Sequence, residues 1–361
     1  MTITTRRSKA AAGALAAIAA TSLLVACSAE QSPAATTTTT PAGPPTGKVT
    51  LVTHDSFELT DEQKADLKGL GLDVEVTQLG DGGTLVNQLI LTKDAPLGDV
   101  AYGIDNIFGA RALDAGVFAE HASPALPDAA KALRLDGSDA LTPVDQGDVC
   151  LNVDDRWFEA HPDVPVPATL DDLADPALKD LVVLTNPATS TPGLAFLAAT
   201  VGAYGEDGYL DYWKSLKDNG VKISDSWSDA YYVEFSGGGE DGPRPVVLSY
   251  GSSPAYTLDG DESTTSSLPA TCFRQVEYAG VIAGSDNPAA AGALVDYMLS
   301  ADFQAALPDT VYMYPVDPAV ALPDAFEKFG PLAEKTITVD PATLATNRDA
   351  WIESWTDTML G

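Results

Sequence analysis

From Lys48 onwards, short apolar runs alternate with stretches whose apolar positions recur at helical spacing. "KVTLVTHDSF", "LDVEVTQL" and "GDVAYGID" are β-rich and end in polar residues, while Asp61 to Leu70, "TLVNQLILT" and "NIFGARALDAG" have the helical pattern between and after them. Thr60 followed by Gln63 predicts a capping box, in which each side chain satisfies a backbone N–H at the helix start. Strands alternating with helices predict a parallel sheet covered on both faces, and ligands of such sheets sit beyond the carboxyl ends of the strands. Those ends carry His54-Asp55-Ser56, Asp81-Gly82-Gly83 and Asp105-Asn106. A second block of this kind runs from about Leu181 to Tyr256, so two lobes are expected. "GDVCLNVDD" and "TCFRQVEYAGVIA" are strand-like segments where the chain would cross between the lobes and return. The closing "ATNRDAWIESWTDTML" is amphipathic, with Trp351 and Trp355 one turn apart to pack it onto a lobe.

The N-terminus follows a different logic. "MTITTRRSKAAAGALAAIAATSLLVAC" has a basic start, an apolar stretch and then small residues, the pattern of an export signal. Its apolar part is shorter than the roughly 20 residues a bilayer span needs. Leu24-Val25-Ala26-Cys27 resembles the lipobox of bacterial lipoproteins, which implies removal of residues 1–26 and a lipid on Cys27 that anchors the chain to the outer side of the cell membrane. Residues 27–47 contain five consecutive threonines and several prolines without apolar periodicity, and are expected to form a disordered tether. The remainder, residues 48–361, is long enough for two ordinary domains. With 20 Lys and Arg against 52 Asp and Glu, the net charge of −32 argues against a nucleic-acid partner. Cys150 and Cys272 are an even pair in an oxidising compartment, so a disulfide is the default expectation, two buried thiols or one reactive thiol being the alternatives.

Little in the chain suggests catalysis. The three histidines lack the paired spacing of a zinc site, and neither a Gly-x-Ser-x-Gly elbow nor a phosphate-cradling Walker sequence is present. "SGGGEDGP" opens no helix and is read as a surface loop. In "ATSTPGLAFLAA", Ser190, Thr191 and Gly193 stand at a helix start with Pro192 in its first turn, a candidate anion pocket. "GDGGTLVNQL" offers a similar geometry beside Asp81, although either stretch fits a simple capped helix equally well. Aromatics gather at strand ends: Trp227 in "SDSWSDAYY", Tyr250 and Tyr256 around the turn of "VVLSYGSSPAY", and Tyr312 before "MYPV". A permanently charged aromatic cation wants stacking faces with a carboxylate nearby.

Taken in order, "THDSF", "GDGGTLVNQL", "GDVAYGIDN", "NPATSTPGL", "WSDAYYVEF", "VVLSYGSSPAY", "FRQVEYAGVIA" and "VYMYPV" resemble the thiamine-binding substrate-binding proteins of bacterial ABC importers, over nearly all of the mature chain. The resemblance implies an α/β, two-lobed periplasmic-binding-protein fold of type II, each lobe a mixed, mostly parallel sheet flanked by helices, with two crossover hinge strands. Residues 48–146 and 275–361 would form lobe 1 and residues 147–274 lobe 2. It further implies a monomeric, non-enzymatic receptor without cofactor that closes on thiamine, thiamine monophosphate or thiamine diphosphate and hands it to an ABC permease. Trp227, Tyr250, Tyr256 and Tyr312 would surround the rings, and Asp81, Ser190 and His54 would meet the hydroxyethyl or phosphate end. Asp55, Gly82, Asp105 and Thr191 complete the expected cleft. His54 stands where the family usually has tyrosine and Tyr312 where it has tryptophan, and an imidazole at 54 would favour phosphate when protonated. Three rivals remain: a polyamine receptor with the same acid-plus-aromatic logic, a ferric receptor using Tyr231-Tyr232, and a thiamine-degrading transferase with Cys150 as nucleophile and Glu277 as base.

Overall fold

The computed structural model describes residues 45–239 and 242–361. The expected signal segment, Cys27 and most of the tether lie outside the described residues. The first block comprises β1 (Gly47–Thr53), α1 (Asp61–Gly69), β2 (Leu72–Gln78), α2 (Gly82–Leu91), β3 (Val100–Asp105) and α3 (Gly109–Asp114). The long strand β4 (Thr142–Asp154) leads through α4 (Asp155–Ala160) to a second block of β5 (Val182–Thr185), α5 (Thr191–Tyr204), α6 (Tyr209–Asp218), β6 (Lys222–Ser224) and β7 (Val246–Tyr250). A small hairpin of β8 (Leu258–Asp259) and β9 (Glu262–Ser263) and the short β10 (Thr265–Ser267) precede β11 (Phe273–Val281), which carries the chain back. α7 (Pro288–Tyr297), α8 (Ala301–Val311), β12 (Tyr314–Pro315), α9 (Asp324–Phe329) and α10 (Pro341–Met359) complete it. The capping box of α1 is present in both directions between Thr60 and Gln63.

The main strands form one path, β2-β1-β3-β11-β4-β7-β5-β6. β1 is parallel to β2 and β3, and β5 is parallel to β6 and β7. β11 and β4 run antiparallel to each other and to the blocks they join. Register explains where a site can form. Asp105, at the carboxyl end of β3, lies opposite Glu277 of β11, which in turn lies opposite Asp145 of β4. Tyr250, at the carboxyl end of β7, pairs with Val149 of the same β4. The carboxyl ends of both blocks therefore meet the adjacent crossing strands β11 and β4, where ligands of open α/β sheets bind.

One apolar cluster belongs to the first block, and a larger one joins both. Val49, Leu51, Val100 and Tyr102 pack with Leu294 and Val295 of α7 and Phe303 and Leu307 of α8. α5 is apolar on every side and buried from Thr191 to Val201, because it lies between the sheet and the helices α6 and α10. The C-terminal helix, assigned by sequence to lobe 1 within residues 275–361, docks on the second block. Its Trp355 meets Trp213 edge to face at 5.5 Å, and Lys217 Nζ donates to the Thr358 carbonyl at 2.7 Å. Arg348 Nη1 of the same helix reaches across to the Ile107 carbonyl at 3.1 Å. Cys150 in β4 and Cys272, just before β11, are joined in a disulfide with Cα atoms 4.2 Å apart, which clips the two crossing strands together.

Candidate functional site: an acid-floored aromatic cleft

β1 ends at Thr53, and the chain then turns His54, Asp55 and Ser56 into a cleft. His54 Nδ1 accepts the Ser56 N–H at 3.2 Å, which leaves the ring proton on Nε2, a buried atom without a partner. The ring fits because residue 103 is glycine, at φ +88°: a Cβ there would lie 2.2 Å from His54 Cδ2. Gly103 is also the extra residue of a bulge, since Ile104 and Tyr102 face the successive residues Tyr278 and Ala279 of β11. Burial lowers His54 to about 4, so the imidazole is neutral at physiological pH and supplies no charge for a phosphate.

Asp81 caps α2 and does more. Its Oδ1 accepts from Gly82 N–H at 2.6 Å and Thr191 N–H at 3.2 Å, and its Oδ2 from Trp227 N–H at 3.0 Å. One carboxylate thus joins the N-termini of α2 and α5 across the two blocks, and the anion pocket expected at Ser190 and Thr191 is filled from within. The approach requires glycine at 82, where a Cβ would stand 2.2 Å from Thr191 Oγ1. Burial raises Asp81 to about 6, against the opposing pull of the three N–H bonds. Ser190 Oγ, wholly buried and near enough to favour the charged form of Asp81, makes no hydrogen bond of good geometry. Thr191 Oγ1 donates to Asp105 Oδ2 at 2.5 Å, and Asp105 Oδ1 accepts the N–H groups of Ile107 and Phe108 at 2.6 and 2.7 Å. Asp105 is fully buried behind the cleft wall, a structural link between blocks instead of the expected ligand contact.

The aromatic wall comes from both blocks. Trp227 stacks on Tyr231 with ring centres 5.1 Å apart, and its Nε1 donates to Ser249 Oγ at 2.9 Å. Tyr250 lies 6.0 Å and Tyr312 6.2 Å from the indole. Tyr312 arrives from the opposite side, at the end of α8, in the left-handed conformation with φ 61°. That geometry costs a bulky residue about 1–2 kcal/mol, and Ser252 Oγ holds it by donating to the Tyr312 carbonyl at 2.5 Å. The wide π-helical turn over Asp229–Glu234 presents Tyr231 and Tyr232 beside the indole. Tyr256 is edge-on to Tyr312 at 4.4 Å with its hydroxyl on the Pro308 carbonyl, so it braces Tyr312 from behind and does not line the acid-floored part.

That inner part encloses about 40 Å³ and is lined by His54, Asp81, Trp227, Tyr250, Glu277 and Tyr312 among others. It adjoins a groove of about 450 Å³ bordered by Asp55, Ser56, Tyr232 and Tyr312, and an aromatic recess of about 130 Å³ bordered by Tyr231, Tyr232 and Tyr256. Among the described residues no Lys or Arg lines any of the three.

A profile of the bacterial extracellular solute-binding proteins matches residues 95–330. The chain belongs to that family. The thiamine-binding periplasmic protein of Escherichia coli K12 is 30% identical over 318 residues, covering 85% of this chain and 92% of that one. The protein of the same name from Brucella abortus is 30% identical over 331 residues, covering 87% and 93%. Among solved structures, a periplasmic thiamin binding protein superposes with a TM-score of 0.75 at 29% identity, covering 87% of this chain and 96% of the other. The two-block architecture is the type II periplasmic-binding-protein fold.

In this solute-binding protein the expected residues His54, Asp55, Asp81, Gly82, Thr191, Trp227, Tyr250 and Tyr312 gather at one cleft. Asp105 and Ser190 lie behind it and Tyr256 beside it. Sequence reasoning missed Gly103, Met313 and the placement of Tyr231 and Tyr232, and assigned Glu277 only to an enzyme reading. The signal available for Glu277 was an acid inside an otherwise apolar strand, "VEYAGV". That enzyme reading loses its nucleophile, because Cys150 is disulfide-bonded and fully buried.

Proposed function

We propose that this extracytoplasmic solute-binding protein captures thiamine between its two blocks, is anchored to the cell membrane through a lipid on Cys27, and delivers the vitamin to an ABC permease. The observation that carries the reading is the combination of Trp227, Tyr250 and Tyr312, drawn from both blocks, with buried carboxylates and, among the described residues, no Lys or Arg around the same cleft. Thiamine joins a permanently charged thiazolium to an aminopyrimidine. A charge that no proton transfer can remove is best met by aromatic faces, each contributing about 0.5–2 kcal/mol according to desolvation, and by a carboxylate. The names of the relatives point the same way.

Among the vitamin's forms the unphosphorylated one fits best. Asp81 already occupies the helix N-termini that a phosphate would use, and neutral His54 adds no attraction. Asp81 bonds Thr191 and Trp227 from across the cleft, so entry requires the blocks to part about β4 and β11, and the ligand then stabilises the closed arrangement. Mass spectrometry of small molecules released by denaturing gently purified protein tests the reading. Thiamine is expected; spermidine or iron in its place would overturn it.

A further inference from the structure

Glu277 occupies the centre of an unusual row. Asp105 on β3, Glu277 on β11 and Asp145 on β4 are directly opposite one another across three adjacent strands, and all three are buried. Bulges flank the row on both sides, at Gly103 in β3 and where β4 skips Val144 between Asp145 and Pro143. Like charges directly opposite destabilise a sheet, and bulges beside sites re-aim side chains, so the row has the marks of a feature kept for use. Its members are not equivalent. Asp105 is saturated by two backbone N–H groups and Thr191. Asp145 accepts Tyr102 O–H at 2.5 Å, and its Oδ1 is buried without a partner. Of the three, Glu277 alone lines the cleft. Its Oε1 accepts the Gln275 amide at 2.7 Å, while its Oε2 faces His54 Nε2 at 3.9 Å, too far for a hydrogen bond.

We propose that Glu277 gives this cleft its preference for a permanently charged ring, and that capture of the cation expels a proton from the carboxylate row to solvent. The inference rests on the thiamine reading above and adds the residue and the linkage. The groups facing Glu277 from every packed element are Asp105 and Tyr102 of β3, Asp145 of β4, His54 after β1, Asp81 before α2 and Tyr250 of β7; none carries positive charge at neutral pH. The two nearest arginines do not change this. Arg274 alternates onto the opposite strand face from Gln275 and Glu277 and is paired with Asp148 at 2.5 Å, and Arg348, held by Asp349 and the Ile107 carbonyl, acts on Asp105 from behind. Burial and the neighbouring Asp145 and Asp105 hold Glu277 well above the usual carboxylate range, so without a cation beside it the row is partly protonated. A cation that cannot lose its charge reverses that preference.

The test is titration calorimetry at neutral pH on the full chain, in phosphate and in Tris, with thiamine and with its uncharged isostere in which carbon replaces the thiazolium nitrogen. Wild-type protein should bind thiamine about tenfold or more tighter than the isostere, and only thiamine should give a heat that differs between buffers. Glu277→Gln should fold with unchanged or raised Tm, lose the buffer dependence, and lose most of its preference for thiamine while binding the isostere as before. A Glu277→Gln protein that keeps both the preference and the buffer dependence overturns the inference alone. Wild-type protein that binds neither compound overturns the thiamine reading, and the inference with it.

Discussion

Replacing Trp227 examines the aromatic wall where it is most exposed to failure. The indole is 6% exposed, stacks on Tyr231 and donates to Ser249. Trp227→Ala should cost stability at the lower end of the roughly 3–5 kcal/mol typical of large aromatic truncations, because one side of the ring already faces the cleft. In binding, the lost face is worth about 1–2 kcal/mol for a partly desolvated cation, or about 5- to 30-fold in Kd. Trp227→Phe separates the two effects. It keeps a ring against Tyr231 and gives up the Ser249 bond, a loss of about 1 kcal/mol in stability, so its affinity should fall less than that of the alanine variant. Calorimetric titration with thiamine, on protein whose near-ultraviolet circular dichroism shows a packed fold, reads the outcome. A folded Trp227→Ala protein that binds thiamine within about twofold of wild type would exclude a stacking role for the indole, since that ratio is too small for a stacked cation.

Further predictions concern pH, backbone and the covalent clip. Asp81 is raised to about 6, and Asp145 and Glu277 are also raised by burial, so the native state holds more protons on these groups than the unfolded chain does above the ordinary carboxylate range. His54, lowered from 6.5 to about 4, works the opposite way at lower pH. Stability of the unliganded protein should therefore fall as pH rises from about 6.5 to 8 through Asp145 and Glu277, Asp81 having lost most of its proton below that range, and thiamine should raise Tm most at the upper end; an unliganded Tm that climbs over that range would contradict the burial argument. Gly103→Ala should displace the His54 ring and lower stability by about 1–3 kcal/mol, from the positive φ and the close approach together, measurable by urea unfolding. Reducing the Cys150–Cys272 bond, which spans 122 residues, should cost about 5 kcal/mol on the loop-entropy view, with a matching drop in the denaturation midpoint.

Local features were legible in the chain because they depend on neighbouring residues. The capping box of α1 and the aspartate cap of α2 follow from a few side chains and the backbone groups they satisfy, and Pro192 marks the first turn of α5. Trp227 and Tyr250 could be named because strand ends of an α/β sheet face its ligand, whereas Tyr312 ends the helix α8 and was named through the resemblance of "VYMYPV". What escaped depends on register and docking. Nothing in "GID", "PVDQ" or "QVEY" states that Asp105, Asp145 and Glu277 align, since two bulges set that alignment. The indoles of α10 announced an apolar face but not which block would cover it. Tyr256 looked equivalent to Tyr250 by spacing, and only the turn between them sends one ring into the cleft and the other behind Tyr312.

The functional reading depends throughout on a fixed positive ring held between aromatic faces from both blocks. Titrating the full chain with thiamine and, separately, with spermidine while following tryptophan fluorescence puts that arrangement to the proof. Saturable one-to-one quenching by thiamine at micromolar concentration or below is expected, with little response to spermidine. Saturation by spermidine with no response to millimolar thiamine would overturn it.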